Sequence, residues 1–175
     1  MKKQLLIFID RDGTILSSKL KVIKYIRTSR PKTHLLYKNS ESFKVGDFKI
    51  LKSSGKDKVV IIGAGITTHE ALKAHETLKK KNISTSVIDL YCIKPLDSKK
   101  LSGFIKKHGG KVVVVEDHYA EGGIGEMLSE NLINSNIKLK HLAVRKIPHS
   151  GKKDELLEKY GIDWKAIVKS VKGLK

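Results

Sequence analysis

The chain has 175 residues, 39% of them hydrophobic and 31% charged, which suits one globular domain, or one domain with a short appendage, that can bury a sizeable core. No apolar run approaches the length of a bilayer-spanning helix, so no membrane segment is expected. The formal net charge of +18 raises the question of nucleic acid, but the lysines are scattered over nearly every segment, Arg11, Arg27, Arg30 and Arg145 are the only arginines, and no basic and aromatic stripe offers a stacking platform; the surface reads as lysine-rich and solvated, with no nucleic-acid partner expected.

In chain order, residues 5–9 form the first strand-like run, Asp12-Gly13 a turn, and residues 22–26 a second strand-like run, which together suit an added hairpin. Asp10, Arg11 and Asp12 break the first run before a signal-peptide core is complete, so a cytoplasmic protein is expected. Four β-branched runs follow, at 58–62, 84–90, 111–115 and 139–144, each separated from the next by a segment of helical pattern. A fifth strand at 48–52 precedes them and suits a sheet edge. This alternation predicts an α/β fold with a mostly parallel five-stranded sheet and helices on both faces.

The first connecting helix opens on a capping-box pattern, with Thr67 as cap and Glu70 reaching back, and Ala71, Ala74 and Leu78 repeat along one face to about Asn82. Asp97 caps a second helix after Pro95, with Leu101, Phe104 and Ile105 as its apolar side, and Gly109 and Gly110 stop it. A third helix is predicted over 123–133 and a short one over 154–160. Asp163 caps a final helix carrying Trp164, Ile167, Val168 and Val171.

Gly63-Ala64-Gly65 has the strand-to-helix position of a dinucleotide-binding loop, but Thr68 stands where the third glycine of that fingerprint belongs, so a tight turn is preferred. Gly122-Gly123-Ile124-Gly125 either exposes backbone donors to an anion or lets a helix pack close to the sheet; packing is favoured. The seven histidines show no H-x-x-x-H spacing and read mostly as surface residues, and the single Cys92 reads as a buried small hydrophobe. Glu116, Asp117 and His118 fall at the carboxyl end of a predicted strand, where open α/β sheets place binding crevices. They read equally well as a site and as the anchor of a loop or subunit contact.

Several segments, taken in order, resemble the transketolase family. Tyr25-Ile26-Arg27-Thr28-Ser29-Arg30-Pro31-Lys32-Thr33 is similar to the last strand of its pyrimidine-binding domain and the linker that leaves it. Phe43-Lys44-Val45-Gly46 looks like the opening of its C-terminal domain. Gly63 to Leu72, Ile93-Lys94-Pro95-Leu96-Asp97, Glu116-Asp117-His118-Tyr119 with Glu121 to Glu126, and Ser150-Gly151-Lys152 before Glu155-Leu156-Leu157 follow in family order. The resemblance implies an organisation of 1–23 as a leader, 24–40 as the end of the pyrimidine domain and linker, and 41–175 as the C-terminal domain.

It also implies a part in moving a two-carbon ketol unit between sugar phosphates with thiamine diphosphate and magnesium, the cofactor being held by two other domains. No G-D-G motif is present, since Gly46-Asp47 runs into Phe48, so the chain alone is expected to bind no cofactor and to carry no catalytic residue or metal. Self-association, or a partner chain carrying the cofactor domains, is expected. Arg30 matches the family arginine that binds the substrate phosphate, and Glu116, Asp117, His118, Gly122 and Gly123 stand as a site or interface.

The leader departs from this pattern. Ile7-Phe8-Ile9-Asp10-Arg11-Asp12-Gly13-Thr14 is similar to the opening motif of haloacid-dehalogenase-type phosphatases, in which Asp10 would attack phosphorus and Asp12 protonate the leaving group. The partners that chemistry needs are missing downstream, so an inert leader is expected. A phosphatase fragment and a stand-alone interaction module remain the alternative readings.

Overall fold

The computed structural model describes residues 33–174 and, before them, the backbone of two short strands. These are β1 (Thr14–Ser17) and β2 (Val22–Tyr25), paired antiparallel with Thr14 opposite Tyr25 and Ser17 opposite Val22. The second was expected; its partner is 14–17, while 5–9 and the Asp12-Gly13 turn lie outside the described residues.

The main sheet has five strands in the order β3-β5-β4-β6-β7, where β3 is Lys49–Lys52, β4 Val59–Gly63, β5 Thr85–Asp89, β6 Lys111–Tyr119 and β7 Lys138–Val144. β4 and β5 are buried along their whole length, the pattern of parallel strands covered on both faces. β3 alternates in exposure and runs antiparallel on β5, so the strand expected at an edge is there. β4 pairs parallel with both β5 and β6, and β6 with β7.

Helices α1 (Ile66–Lys79) and α5 (Trp164–Gly173), with Leu157 of the short α4 (Lys153–Lys159), cover one face and bury Val59, Ile61, Val87 and Val113. The other face packs Val60, Ile62, Ile88 and Val112 under α2 (Ser98–Lys107) and α3 (Ile124–Leu132). α1 follows β4 on the first face and leads to β5, and α3 follows β6 on the second and leads to β7, so the strand order reverses between β4 and β6, the place where open α/β sheets put a crevice at the carboxyl ends. No helix among the described residues is long and apolar enough to cross a membrane.

Asp97 and Asp163 cap α2 and α5 as expected, accepting from the backbone N–H of Lys100 and Ala166, each at 2.9 Å. The capping box at α1 does not form. Gly65, at φ +59°, is the N-cap, and Thr67 is already helical. Its hydroxyl accepts from Ala64 N–H at 3.1 Å and donates to the Val115 carbonyl at 2.8 Å, tying α1 to β6. Glu70 accepts instead from Trp164 N–H at 3.0 Å, at the start of α5, and pairs with Lys73 at 2.7 Å. Tertiary partners outcompete the local ones because both side chains are buried.

Candidate functional site

β6 runs past the five residues expected of it, and a register irregularity between Val115 and Tyr119 keeps it paired with β7 as far as Val144. Glu116, Asp117 and His118 therefore sit on the strand's carboxyl end. The Glu116 side chain is 2% exposed. Its carboxylate accepts from the backbone N–H of Ile124 at 2.7 Å and of Gly125 at 2.8 Å, both at the start of α3, and contacts Nε2 of His141 on β7 at 2.6 Å. Burial pushes this acid up, but the His141 hydrogen bond and the two backbone donors outweigh it and hold the carboxyl below its ordinary range. A negative charge here also faces the positive end of the α3 dipole.

The glycines of this segment make room for that arrangement. A Cβ on Gly123 would lie 2.5 Å from a Glu116 carboxylate oxygen, and one on Gly125 would lie 2.3 Å from the His141 ring. Gly122 adopts φ +68°, and its N–H donates to the Glu126 carboxylate. Glu116, Gly122 and Gly123 are thus brought together around the start of α3. Asp117 is half-buried and borders a groove of about 250 Å³ with Ile66, His149, Tyr160 and Leu156. His118 is exposed, with Nδ1 2.9 Å from the Tyr119 carbonyl; a carbonyl only accepts, so Nδ1 carries the proton.

A second acid stands at the end of β5. Asp89, 6% exposed, accepts from the hydroxyls of Tyr37 at 2.5 Å and Thr68 at 2.9 Å. Burial raises its carboxyl above the ordinary range despite both donors, and burial together with the Asp89 hydrogen bond pushes the Tyr37 phenol far up. Tyr37 meets Phe43 edge-on at 5.0 Å, and Phe43 meets Tyr91 at 4.9 Å. These contacts fold the segment before β3 against the sheet and enclose a groove of about 300 Å³ bordered by His34, Gly65 and His69. Burial, then the charges of Lys153 and His34, push the His69 imidazole down.

Asp89, Tyr37 and His141 had not been singled out from the sequence. Asp89 carried a signal, as the acid that closes an apolar run; Tyr37 and His141 carried none. The histidines also depart from a surface reading, since His108 is 7% exposed. Cys92 is half-exposed, its Sγ accepting from Gly46 N–H at 3.2 Å. The Gly63-Ala64-Gly65 segment is a tight turn, and a Cβ on Gly63 would lie 2.7 Å from Thr68 N, so α1 packs close against β4 here.

The family model described as "Transketolase, C-terminal domain" matches residues 46–167. The chain belongs to the transketolase family. It is 45% identical to the transketolase of Pongo abelii over 96% of its own length and 28% of that protein, and 47% identical to the human transketolase over 91% of its own length and 26% of that protein. It spans about a quarter of the length of these curated relatives. Among solved structures, one described as a split gene transketolase, inactive beta4 tetramer, aligns with a TM-score of 0.73 and 30% identity over 80% of this chain and 46% of that one. The Campylobacter jejuni transketolase aligns with a TM-score of 0.58 and 18% identity over 79% of this chain and 20% of that one, a likeness of fold alone.

Complete enzymes of this family use thiamine diphosphate. No group of three His, Cys, Asp or Glu side chains that could hold a metal occurs among the described residues. Asp47, after Gly46, is tied to Phe48 N–H at 2.8 Å and Lys100 at 2.7 Å. Arg30, Asp10 and Asp12 lie outside the described residues.

Proposed function

We propose that this chain acts as the C-terminal part of a thiamine-diphosphate enzyme that transfers a two-carbon ketol unit between sugar phosphates. In this reading residues 24–40 are the end of the pyrimidine-binding domain and the linker that leaves it. The observation that carries this reading is the family match over 46–167. In this reading the cofactor and magnesium are held by domains outside the described residues, Arg30 binds the substrate phosphate, and the chain functions in an oligomer or with a partner chain. The relative described as a beta4 tetramer supports self-association. The Glu116 anchor has a matching role: it fixes the start of α3 and so the run from Asp117 to Gly122, mostly exposed, which the reading places at a subunit contact. The leader with Asp10 and Asp12 is inert.

Co-purification from the source cell tests the reading, followed by a transketolase assay of the assembled material. Recovery of thiamine-diphosphate domains with the chain, and sugar-phosphate turnover that needs both, is the expected result. In the assembly, Arg30→Lys raises KM for a phosphorylated acceptor by a factor corresponding to about 2 kcal/mol, because a guanidinium fork holds two phosphate oxygens and an ammonium does not. Micromolar binding of the cofactor by the isolated chain, or equal losses with phosphorylated and unphosphorylated acceptors, would refute the corresponding part of the reading.

A further inference from the structure

The opposite end of the sheet, where the parallel strands begin, collects lysines from distant parts of the sequence. The connection from β3 to β4 brings Lys56 and Lys58, and α1 ends at Lys79 with Lys80 and Lys81 directly after it. α2 ends on Lys106 and Lys107, and Lys111 and Lys138 open β6 and β7. These segments touch: Lys58 N–H donates to the Ser84 carbonyl at 3.3 Å, Lys138 N–H donates to the Gly110 carbonyl at 2.9 Å, and a Cβ on Gly109 would lie 2.3 Å from the Lys58 carbonyl oxygen. All of these lysines are exposed except the half-buried Lys111. None of them is ion-paired among the described residues.

Among the described residues counter-charge at this end is small. Glu76 pairs with Lys52 at 3.9 Å, and Glu130 is exposed near the end of α3. Asp57 is 5% exposed and turned inward. It accepts from Ser54 N–H at 2.6 Å and from the hydroxyls of Ser54 and Ser86 at 2.7 Å each. Burial raises this acid, and those donors together with His108 more than offset the rise, so its carboxyl stays below the ordinary range. Asp57 thereby pins the loop that presents Lys56 and Lys58. Lysine at a helix end complements the helix dipole, and that accounts for Lys79 and Lys107. It extends to Lys80, the C-cap of α1, but does not account for Lys81, nor for Lys56, Lys58, Lys111 and Lys138, which stand on strands or a strand connection.

We propose that this lysine face is a docking surface for the phosphodiester backbone of nucleic acid, held without base readout. Ammonium groups are point charges that release counterions from a dense row of phosphates, and they lack the fork that reads a base edge. An acidic protein segment would take its binding energy from buried apolar anchors. Among the exposed large apolar side chains of the described residues, Ile133 lies at this end and Ile50 lies along the edge strand β3 opposite Ile88, while Leu35, Val45, Ile93, Tyr119 and Ile147 lie toward the carboxyl ends of the strands. The expectation of no nucleic-acid partner rested on lysines scattered along the sequence, on the few arginines and on the lack of a basic and aromatic stripe; the fold brings the lysines named here together. This inference is independent of the proposed function, since it uses neither Arg30 nor the segment from Asp117 to Gly122.

Fluorescence anisotropy of a labelled DNA duplex of arbitrary sequence, about 20 base pairs long, tests it in about 50 mM potassium chloride. The chain is expected to bind, and to weaken at least about tenfold by about 200 mM salt. The triple change Lys80→Glu, Lys107→Glu, Lys138→Glu should weaken binding at least about tenfold, while Lys94→Glu, Lys99→Glu, Lys152→Glu, an equal change of net charge elsewhere, should stay within about twofold. Circular dichroism checks folding, and the milder triple change to glutamine serves if the first variant unfolds. Absence of binding at low salt, equal losses in both triple variants, or displacement by polyglutamate as effective as by unlabelled duplex would each overturn the proposal.

Discussion

Two buried acids stand at the carboxyl ends of strands in one sheet and meet opposite fates. Glu116 on β6 is 2% exposed and its carboxyl is held low; Asp89 on β5 is 6% exposed and its carboxyl is pushed up. Burial pushes both carboxyls up, and only at Glu116 do the donors outweigh it. Glu116 receives two backbone N–H groups fixed in the first turn of α3 and an imidazole nitrogen. Asp89 receives two hydroxyls, which rotate and can also accept. Rigid donors aimed by a helix stabilise charge more than mobile ones do, so Glu116 serves as an ionic anchor while Asp89 behaves as a polar contact that tolerates a proton.

The largest expected effect follows from removing the anchor. Glu116→Ala leaves the N–H groups of Ile124 and Gly125 and the His141 ring without their acceptor in a buried space, and should destabilise the domain by about 3–5 kcal/mol in urea denaturation. Asp89→Ala should cost less, about 1–3 kcal/mol, because the hydroxyls it leaves can turn to other partners. Equal losses at the two positions would break the comparison.

Next come the glycines that let the anchor form. Gly125→Ala puts a methyl group 2.3 Å from the His141 ring and should cost about 1–3 kcal/mol through overpacking. Gly103→Ala is the matched control: Gly103 lies inside α2, and nothing stands within 4 Å of an added Cβ. There alanine should stabilise by about 0.5–1 kcal/mol, since it narrows the unfolded ensemble and favours the helix. Thermal melts of the two variants should therefore move in opposite directions.

What could be read from the sequence was mostly local. The all-apolar run 59–62 marks a covered strand, the short run at 48–52 ahead of it reads as an edge strand, and the caps at Asp97 and Asp163 act on N–H groups three residues away. Glu116 and the glycines at 122 and 123 were recognisable as a group. Their geometry was not, because the third partner, His141, is 25 residues distant on the next strand. Thr67 and Glu70 show the reverse: a correct local pattern whose side chains were taken by Val115 and Trp164 from other elements. Tyr37 was invisible as the partner of Asp89 because 52 residues separate them, and no periodicity reports such a pairing.

The smallest effects concern Asp89 and carry opposite signs with pH. Because its folded carboxyl is raised above the unfolded value, the wild-type contribution is fully present below the unfolded pKa of about 4 and is lost as pH rises through the folded value. Asp89→Asn cannot ionise, so its destabilisation, on the order of 1 kcal/mol in acid, should shrink as pH rises towards neutrality. Glu116→Gln should do the reverse, costing more at neutral pH than in acid, because the depressed Glu116 carboxyl contributes stability above its unfolded pKa and loses it as pH falls through the folded value. Tyr37→Phe joins the Glu116 pattern: it removes a donor that favours the ionised form of Asp89, so its cost of about 1 kcal/mol should grow with pH. Urea denaturation of Asp89→Asn and Tyr37→Phe from about pH 4 up to neutrality, and of Glu116→Gln from neutrality down to below about pH 4, the side of the ordinary carboxyl value on which each acid titrates, would show two costs rising with pH and one falling. A falling cost for Tyr37→Phe would mean that its hydroxyl does not support the Asp89 charge, and the difference between rigid and mobile donors would lose its basis.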